Sequence, residues 1–330
     1  MNLPARELHH AGVEACRQGQ FEKGIGYFKE AIRSAPQAVE FHQWLCSAML
    51  AWARLQPEMP EQQVPERTSL PLFSVVVCSI NPQKFLRLKQ NIESLIPENH
   101  LEIIRITDAR NMGEGYNRGA RQATGDILIF CHDDIELLTP DTGYRLADRL
   151  DKYDLLGVAG SAWLLDAQWS SAGFPYTRGQ VVHSLADRPG FTYSVFGMDS
   201  ATSGGIQSLD GLFLAMRRDF WADNPFDEGY EGFHLYDVDL SFRCYLAGHR
   251  VGVCNDILIE HRSLGRFDES WKCAADRFTA RFGGKMENHP AGVIVCSNFR
   301  LNDREQVFQL FRALRRFGYG TDIPAATATA

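Results

Sequence analysis

From Phe73 to Cys131 the chain switches repeatedly between the hydrophobic periods of strand and helix, and this alternation restricts its folding more than any other feature. Phe73–Ser79 is a continuous run dominated by valine, and Pro82–Leu95 then spaces Phe85, Leu88, Ile92 and Leu95 at helical intervals. Leu101–Ile106 reads as a second strand, Glu114–Ala123 as a short helix and Asp126–Cys131 as a third strand. Apolar runs with no polar face suit strands covered on both sides, where β-branched side chains pack well. Such strands alternating with helices predict an α/β fold with a doubly wound, mostly parallel sheet.

Outside this core the pattern changes. Residues 1–55 read as helical, and Leu8, Gly12, Ala15, Gly19, Phe21, Gly24, Phe28, Ala31 and Pro36 follow a spacing that resembles a tetratricopeptide repeat. Small residues at 12 and 24 let two antiparallel helices approach, with Phe21 and Phe28 filling the gap. A further helix opens at Phe41–Leu45 and the pattern stops, short of the roughly three repeats such arrays need. Two readings stand side by side: a module that binds a protein partner, or a small α-helical hairpin packed on the following domain. Pro57, Pro60, Pro65 and Pro71 mark a linker over 56–71. The main domain is expected over 72–285, with 161–208 as irregular loops beside a cleft. A C-terminal extension over 286–320 and a disordered tail over 321–330 complete the expected organisation.

Several function classes are excluded by charge and composition. Forty-one acidic against 34 basic residues give a net charge of −7, which offers no electrostatic footprint for nucleic acid. No apolar run approaches the roughly 18 residues of a transmembrane segment, and the first residues lack the apolar core of a signal peptide. Eight cysteines are scattered without a Cys-x-x-Cys pair, a reduced pattern that predicts a cytoplasmic protein with no zinc site.

Chemistry gathers at strand and helix ends. His132-Asp133-Asp134 follows the apolar run Ile127–Cys131, at the strand end where open α/β sheets bind ligands. Two adjacent carboxylates there are costly unless a cation neutralises them, and a divalent metal carrying a phosphate ester would serve; turn chemistry or a helix cap is the more frequent origin of such a pair. Ser79 and Asn81 close the first strand before Pro82, as ligand contacts or as a helix cap. Asn111–Ala120 holds three glycines, which admit a ligand close to the backbone or mark a weak helix. Tyr236-Asp237-Val238-Asp239-Leu240 opens a helix whose buried stripe is expected at Val238, Phe242, Tyr245 and Leu246. Its carboxylates fit the helix dipole or a general base. Ile257–His261 is a short strand ending in a histidine.

The order of these pieces from Phe73 to Arg281 resembles the family 2 glycosyltransferases of the GT-A fold, in particular the StrF-like branch. Asp210-Gly211-Leu212-Phe213, Phe226-Asp227-Glu228 and Gly248-His249-Arg250-Val251 complete the match. The resemblance implies a metal-dependent inverting glycosyltransferase that moves a sugar from a nucleotide-sugar donor to a hydroxyl of a glycan, protein or small molecule. It implies Mn²⁺ or Mg²⁺ on Asp134 and His261, and Asp237 as catalytic base. Ser79, Asn81, Asp108, Arg110, Asn117 and Asp133 would face the donor, and Asp210, Gly211 and His234 the acceptor. His132 stands where an acidic residue is commonest, Tyr236 replaces the usual Glu, and no Gln-x-x-Arg-Trp motif of processive synthases is present. The role of His132 stays open. The competing reading is a scaffold with a degenerate transferase domain. A nucleotidyltransferase would need a Gly-rich loop with Arg and Lys after the first strand, which the chain lacks.

Overall fold

In the computed structural model, which describes residues 4–56, 69–184, 189–263, 265 and 267–319, the chain opens with three helices. These are α1 (Ala5–Arg17), α2 (Phe21–Ser34) and α3 (Val39–Arg54). Gly12 lies against the buried Phe28 ring and Gly24 against Cys16, the close helix approach that the spacing predicts. Residues 57–68 of the expected linker and the tail 321–330 lie outside the described residues.

The sheet domain begins with β1 (Phe73–Cys78), α4 (Pro82–Leu95), β2 (Leu101–Ile106), α5 (Met112–Gln122) and β3 (Ile127–Cys131), close to the predicted bounds. Leu88 and Ile92 bury the inner face of α4, with Phe85 and Leu95 packed beside them. Next come β4 (Ile135–Leu137), α6 (Thr142–Arg149), β5 (Leu155–Gly157), β6 (Ala159–Ser161), β7 (Thr177–Ser184) and β8 (Phe191–Gly197). The short strands β9 (Thr202–Ser203) and β10 (Ser208–Leu209) lead into β11 (Phe213–Arg217), α7 (Arg218–Asp223) and α8 (Tyr236–Leu246). The chain closes with β12 (Val251–Cys254), β13 (Ile259–His261), α9 (Glu269–Phe282), β14 (Ser297–Leu301) and α10 (Arg304–Phe317). No described helix is long and apolar enough to cross a membrane.

The principal sheet runs β2-β1-β3-β11-β5-β12-β9. β1 is parallel to β2 and β3, and β5 to β12, while β11 lies antiparallel between β3 and β5, so the α/β sheet is mixed. A second sheet runs β10-β6-β7-β13-β4, with β8 on β7 and β14 on β8. Its β7–β8 hairpin falls within 161–208, so that stretch is not the irregular loop region expected. Buried polar residues, Thr177, Gln180 and Ser194, interrupt the apolar pattern of these strands. Gln180 is fully buried, accepts from Tyr193 Oη at 2.5 Å and donates to the Asn255 carbonyl at 2.6 Å. Hydrogen bonding removes the cost of burying such a side chain, and with it the apolar alternation that betrays a strand.

One hydrophobic cluster joins both ends of the chain. Phe41, Leu45, Met49 and Trp52 of α3 pack with Leu310, Phe311 and Leu314 of α10 and with Phe299 and Leu301 of β14. The helical segment is therefore seated on the C-terminal elements. In α8, Leu246 is exposed and Tyr245 only partly buried, correcting the predicted stripe. Leu240 and Cys244 are buried instead, because α8 packs sheet on one side and α9 on the other.

Candidate active site

Strand register assembles the site. Parallel pairing of β1 and β3 sets Phe73 opposite Ile127, an offset that carries Ser79 to Asp133 beyond the strand ends. Ser79 Oγ indeed donates to Asp133 Oδ2 at 2.7 Å. Antiparallel pairing of β11 with β3 sets Phe213 opposite Cys131, and His132 N donates to the Leu212 carbonyl at 3.1 Å, so Asp210-Gly211-Leu212 lies beside His132. The β4–β13 pair sets Ile135 opposite His261 and brings His261 Nε2 within 3.2 Å of Asp134 Oδ1.

Three donor atoms converge here. His132, Asp134 and His261 each offer one atom, all within 4.8 Å of one another. His132 Nδ1 lies 3.4 Å from His261 Nε2. Ligands about 2.1 Å from a common ion stand about 3.0–3.4 Å apart, so the spacings of 3.2 and 3.4 Å suit a divalent cation. Two imidazoles and a carboxylate are also a suitable donor set for such an ion. Burial opposes the charge of Asp134, but the His261 hydrogen bond and the Lys84 ammonium outweigh it and hold the carboxyl below its usual range. Burial, then the neighbouring His261, lowers the His132 pKa to about 4, which keeps the ring neutral and available as a ligand.

Lys84, absent from the sequence reasoning, is the nearest cation. Its Nζ lies 3.1 Å from Asp134 Oδ2 and 3.6 Å from Asp133 Oδ1. Partial burial opposes its charge, yet both carboxylates raise its pKa overall. Its place in the first turn of the helix after β1 was the available signal, since that turn faces the ligand end of the sheet.

A second group of contacts surrounds Asp237. Its Oδ2 accepts from Gly211 N at 2.6 Å, while Tyr236 Oη donates to the Gly211 carbonyl at 3.1 Å. Consecutive residues thus hold the backbone N–H and C=O of one residue, Gly211. A Cβ on residue 211 would strike Tyr236 Oη and lie 2.8 Å from Asp237 Oδ2, so only glycine fits. Asp237 is partly buried; burial first, then the Asp210 carboxylate, raises its pKa to about 7. Asp210 accepts from Trp169 Nε1 at 3.0 Å and from Leu212 N at 2.9 Å. Leu235, buried and left-handed at φ 60°, makes the turn into α8 and aims Tyr236 and Asp237 at the strand ends.

Ser79, Asp133, Asp134 and His261 therefore meet, as do Asp210, Gly211 and Asp237, and Tyr236 links the two groups by contacting His132 Nε2 at 2.8 Å. The other expected residues have different engagements. Asn81 caps α4, accepting from Gln83 N and Lys84 N at 2.9 and 3.0 Å. Asn117 is buried and both ends of its amide hold the 221–228 segment through Phe226, Trp221 and Glu228. Asp108 pairs with Arg118 in solvent at 2.7 Å, the exposed Arg110 faces Glu228 at 3.9 Å, and His234 faces Asp268 at 3.6 Å. The glycines of α5 meet protein, not ligand: a Cβ on Gly119 would strike Val76, and one on Gly115 would come within 2.5 Å of Cys78 Sγ.

Residues 74–289, more than half the chain, match the model of the family described as glycosyltransferase-like, and the chain belongs to that family. Over 150 residues, 44% of its length, it is 31% identical to the "ATP synthase subunits region ORF 6" protein of Fuscovulum blasticum. It covers 55% of that relative. Among solved structures, it is similar to the mannosyltransferase PcManGT from Pyrobaculum calidifontis in complex with GDP-Man and Mn²⁺. The identity is 13%, with 89% of this chain and 81% of that one covered at a TM-score of 0.44. It is also similar to an S. aureus TarS fragment in complex with UDP-GlcNAc, at 15% identity, 66% and 68% coverage and a TM-score of 0.41.

Proposed function

We propose that this glycosyltransferase-family chain moves a sugar from a nucleotide-sugar donor to an acceptor hydroxyl in one inverting displacement, with a divalent metal held by His132, Asp134 and His261. The observation that carries the reading is the junction of that donor-atom cluster with Asp237 through Tyr236 and Gly211. Asp237, its Oδ2 fixed by Gly211 N, would take the acceptor proton on its carboxylate. A raised pKa suits that task, because a stronger base removes an alcohol proton more readily near neutral pH. As the acceptor oxygen bonds to the anomeric carbon, the bond to the donor phosphate breaks and the nucleoside diphosphate leaves. When bound, Mn²⁺ or Mg²⁺ supplies positive charge to the phosphate oxygens. Lys84 adds a further cation from α4, and Ser79 orients Asp133 toward the donor side. Asp210 and Gly211 would border the acceptor. The eight described cysteines are all free, which supports work in a reducing, cytoplasmic setting.

A panel of nucleotide sugars incubated with Mn²⁺ tests this by release of nucleoside diphosphate, first without and then with candidate acceptors. Asp134→Ala is expected to lose both hydrolysis and transfer, and Asp237→Asn to lose transfer while still binding donor. Full transfer by either variant rules the assignment out.

A further inference from the structure

We infer that Tyr236 is a positioning residue that selects the metal-binding tautomer of His132; this rests on the metal-dependent reading above. Tyr236 Oη has one proton and two lone pairs; it lies near the buried Tyr116 hydroxyl and hydrogen-bonds two partners. One is the Gly211 carbonyl at 3.1 Å, which can only accept, so the hydroxyl proton is directed there. The other is His132 Nε2 at 2.8 Å, which must then supply its own proton to the hydroxyl oxygen. In a neutral imidazole this leaves Nδ1 without a proton, its lone pair facing His261 Nε2 3.4 Å away. A histidine that ligates a metal generally donates its other N–H to an orienting acceptor. Here that acceptor is a hydroxyl whose own direction is fixed by a backbone carbonyl. The ring has little freedom to choose otherwise, because Tyr236 is 3% exposed and packs edge-on against Tyr116, with centroids 5.5 Å apart. The same residue thereby sets the register between the metal ligands and Gly211, whose N–H holds Asp237.

The test is a double-mutant cycle on Mn²⁺ affinity of the full chain, read by calorimetry and not by turnover. Tyr236→Phe keeps the ring and removes the hydroxyl; it should weaken Mn²⁺ binding on the order of 10-fold. His132→Ala should weaken it at least as much, and the double variant should be no weaker than His132→Ala alone. Undiminished binding by Tyr236→Phe, or losses that add, would overturn the inference. A second measurement needs no mutant fold at position 236. In metal-free wild-type protein with ¹⁵N-labelled histidine, the imidazole signals missing from His132→Ala should report an Nε2-protonated tautomer, and an Nδ1-protonated one overturns the proposal. Failure of the wild type to bind Mn²⁺ overturns the metal-dependent reading together with this one, whereas binding indifferent to position 236 overturns this one alone.

Discussion

A carboxylate that takes a proton from an alcohol near neutral pH works best when its own affinity for that proton is raised, and the shell around Asp237 raises it through burial and then through Asp210. The ionised form is the active one, so kcat/KM for transfer should climb about tenfold per pH unit below an inflection near 7 and level off above it. Asp210→Asn removes the repelling charge, and the inflection should move to lower pH. Folding stability runs the other way. The folded-state pKa lies above the unfolded value of about 3.9, so the native state binds the extra proton between the two. The stabilisation is complete below about pH 4 and is lost as pH rises through about 7. Asp237→Asn should thus melt higher than wild type at alkaline pH while being inactive; a lower melting temperature there contradicts the electrostatic account. The positions of Asp134, Asp237 and His261 were legible in the sequence because each lies at the end of a strand-like run or in the first turn of a helix. The partner of His132 was not, since Tyr236 lies 104 residues further along and no local pattern connects them.

Packing between elements gives the glycine-rich α5 a meaning that the sequence left open. Its glycines bring the helix onto β1 and the Asp227 backbone, so the close approach they permit is helix to strand. Alanine at 119 would gain about 1 kcal/mol of helix propensity. Its methyl would meet Val76, a fully buried β-branched residue with little rotamer freedom. Overpacking of this kind costs about 1–3 kcal/mol, so Gly119→Ala should lower the denaturant midpoint on balance. Equal or higher stability would mean that β1 yields more easily than its packing implies. Apolar strand runs made β1 to β3 readable, whereas β7 and β8 hide buried hydrogen-bonded polar residues that single-sequence periodicity counts as loop.

At the scale of the molecule, the N-terminal helices are part of a common core with β14 and α10. The Trp52 ring meets Phe317 edge-on at 4.8 Å, and its Nε1 donates to Glu22 at 3.2 Å. Trp52→Ala should cost about 3–5 kcal/mol, measured by chemical denaturation. Removal of residues 1–55 should leave an aggregation-prone remainder, although the proposed site residues all lie beyond that cut. His42, buried in α3, contacts the Pro36 carbonyl at 2.8 Å and meets Tyr319, which in turn donates to Ser297. Burial lowers its pKa and outweighs the Pro36 carbonyl, which favours the charged ring, so this site favours neutral imidazole and its contribution fades as pH falls below about 6.5. The seating of the helices should weaken on acidification, and His42→Gln should flatten that dependence.

The meeting of His42 with Tyr319 also has a temporal side, because 277 residues separate the two. At the pace of ribosomal synthesis, α3 waits roughly 15–55 s before its C-terminal partners exist. Throughout that interval Phe41, Leu45, Met49 and Trp52 have no α10 to cover them. The nascent chain carries an uncovered adhesive segment through that interval, and its yield in a cell should depend on whatever shields the segment until α10 emerges.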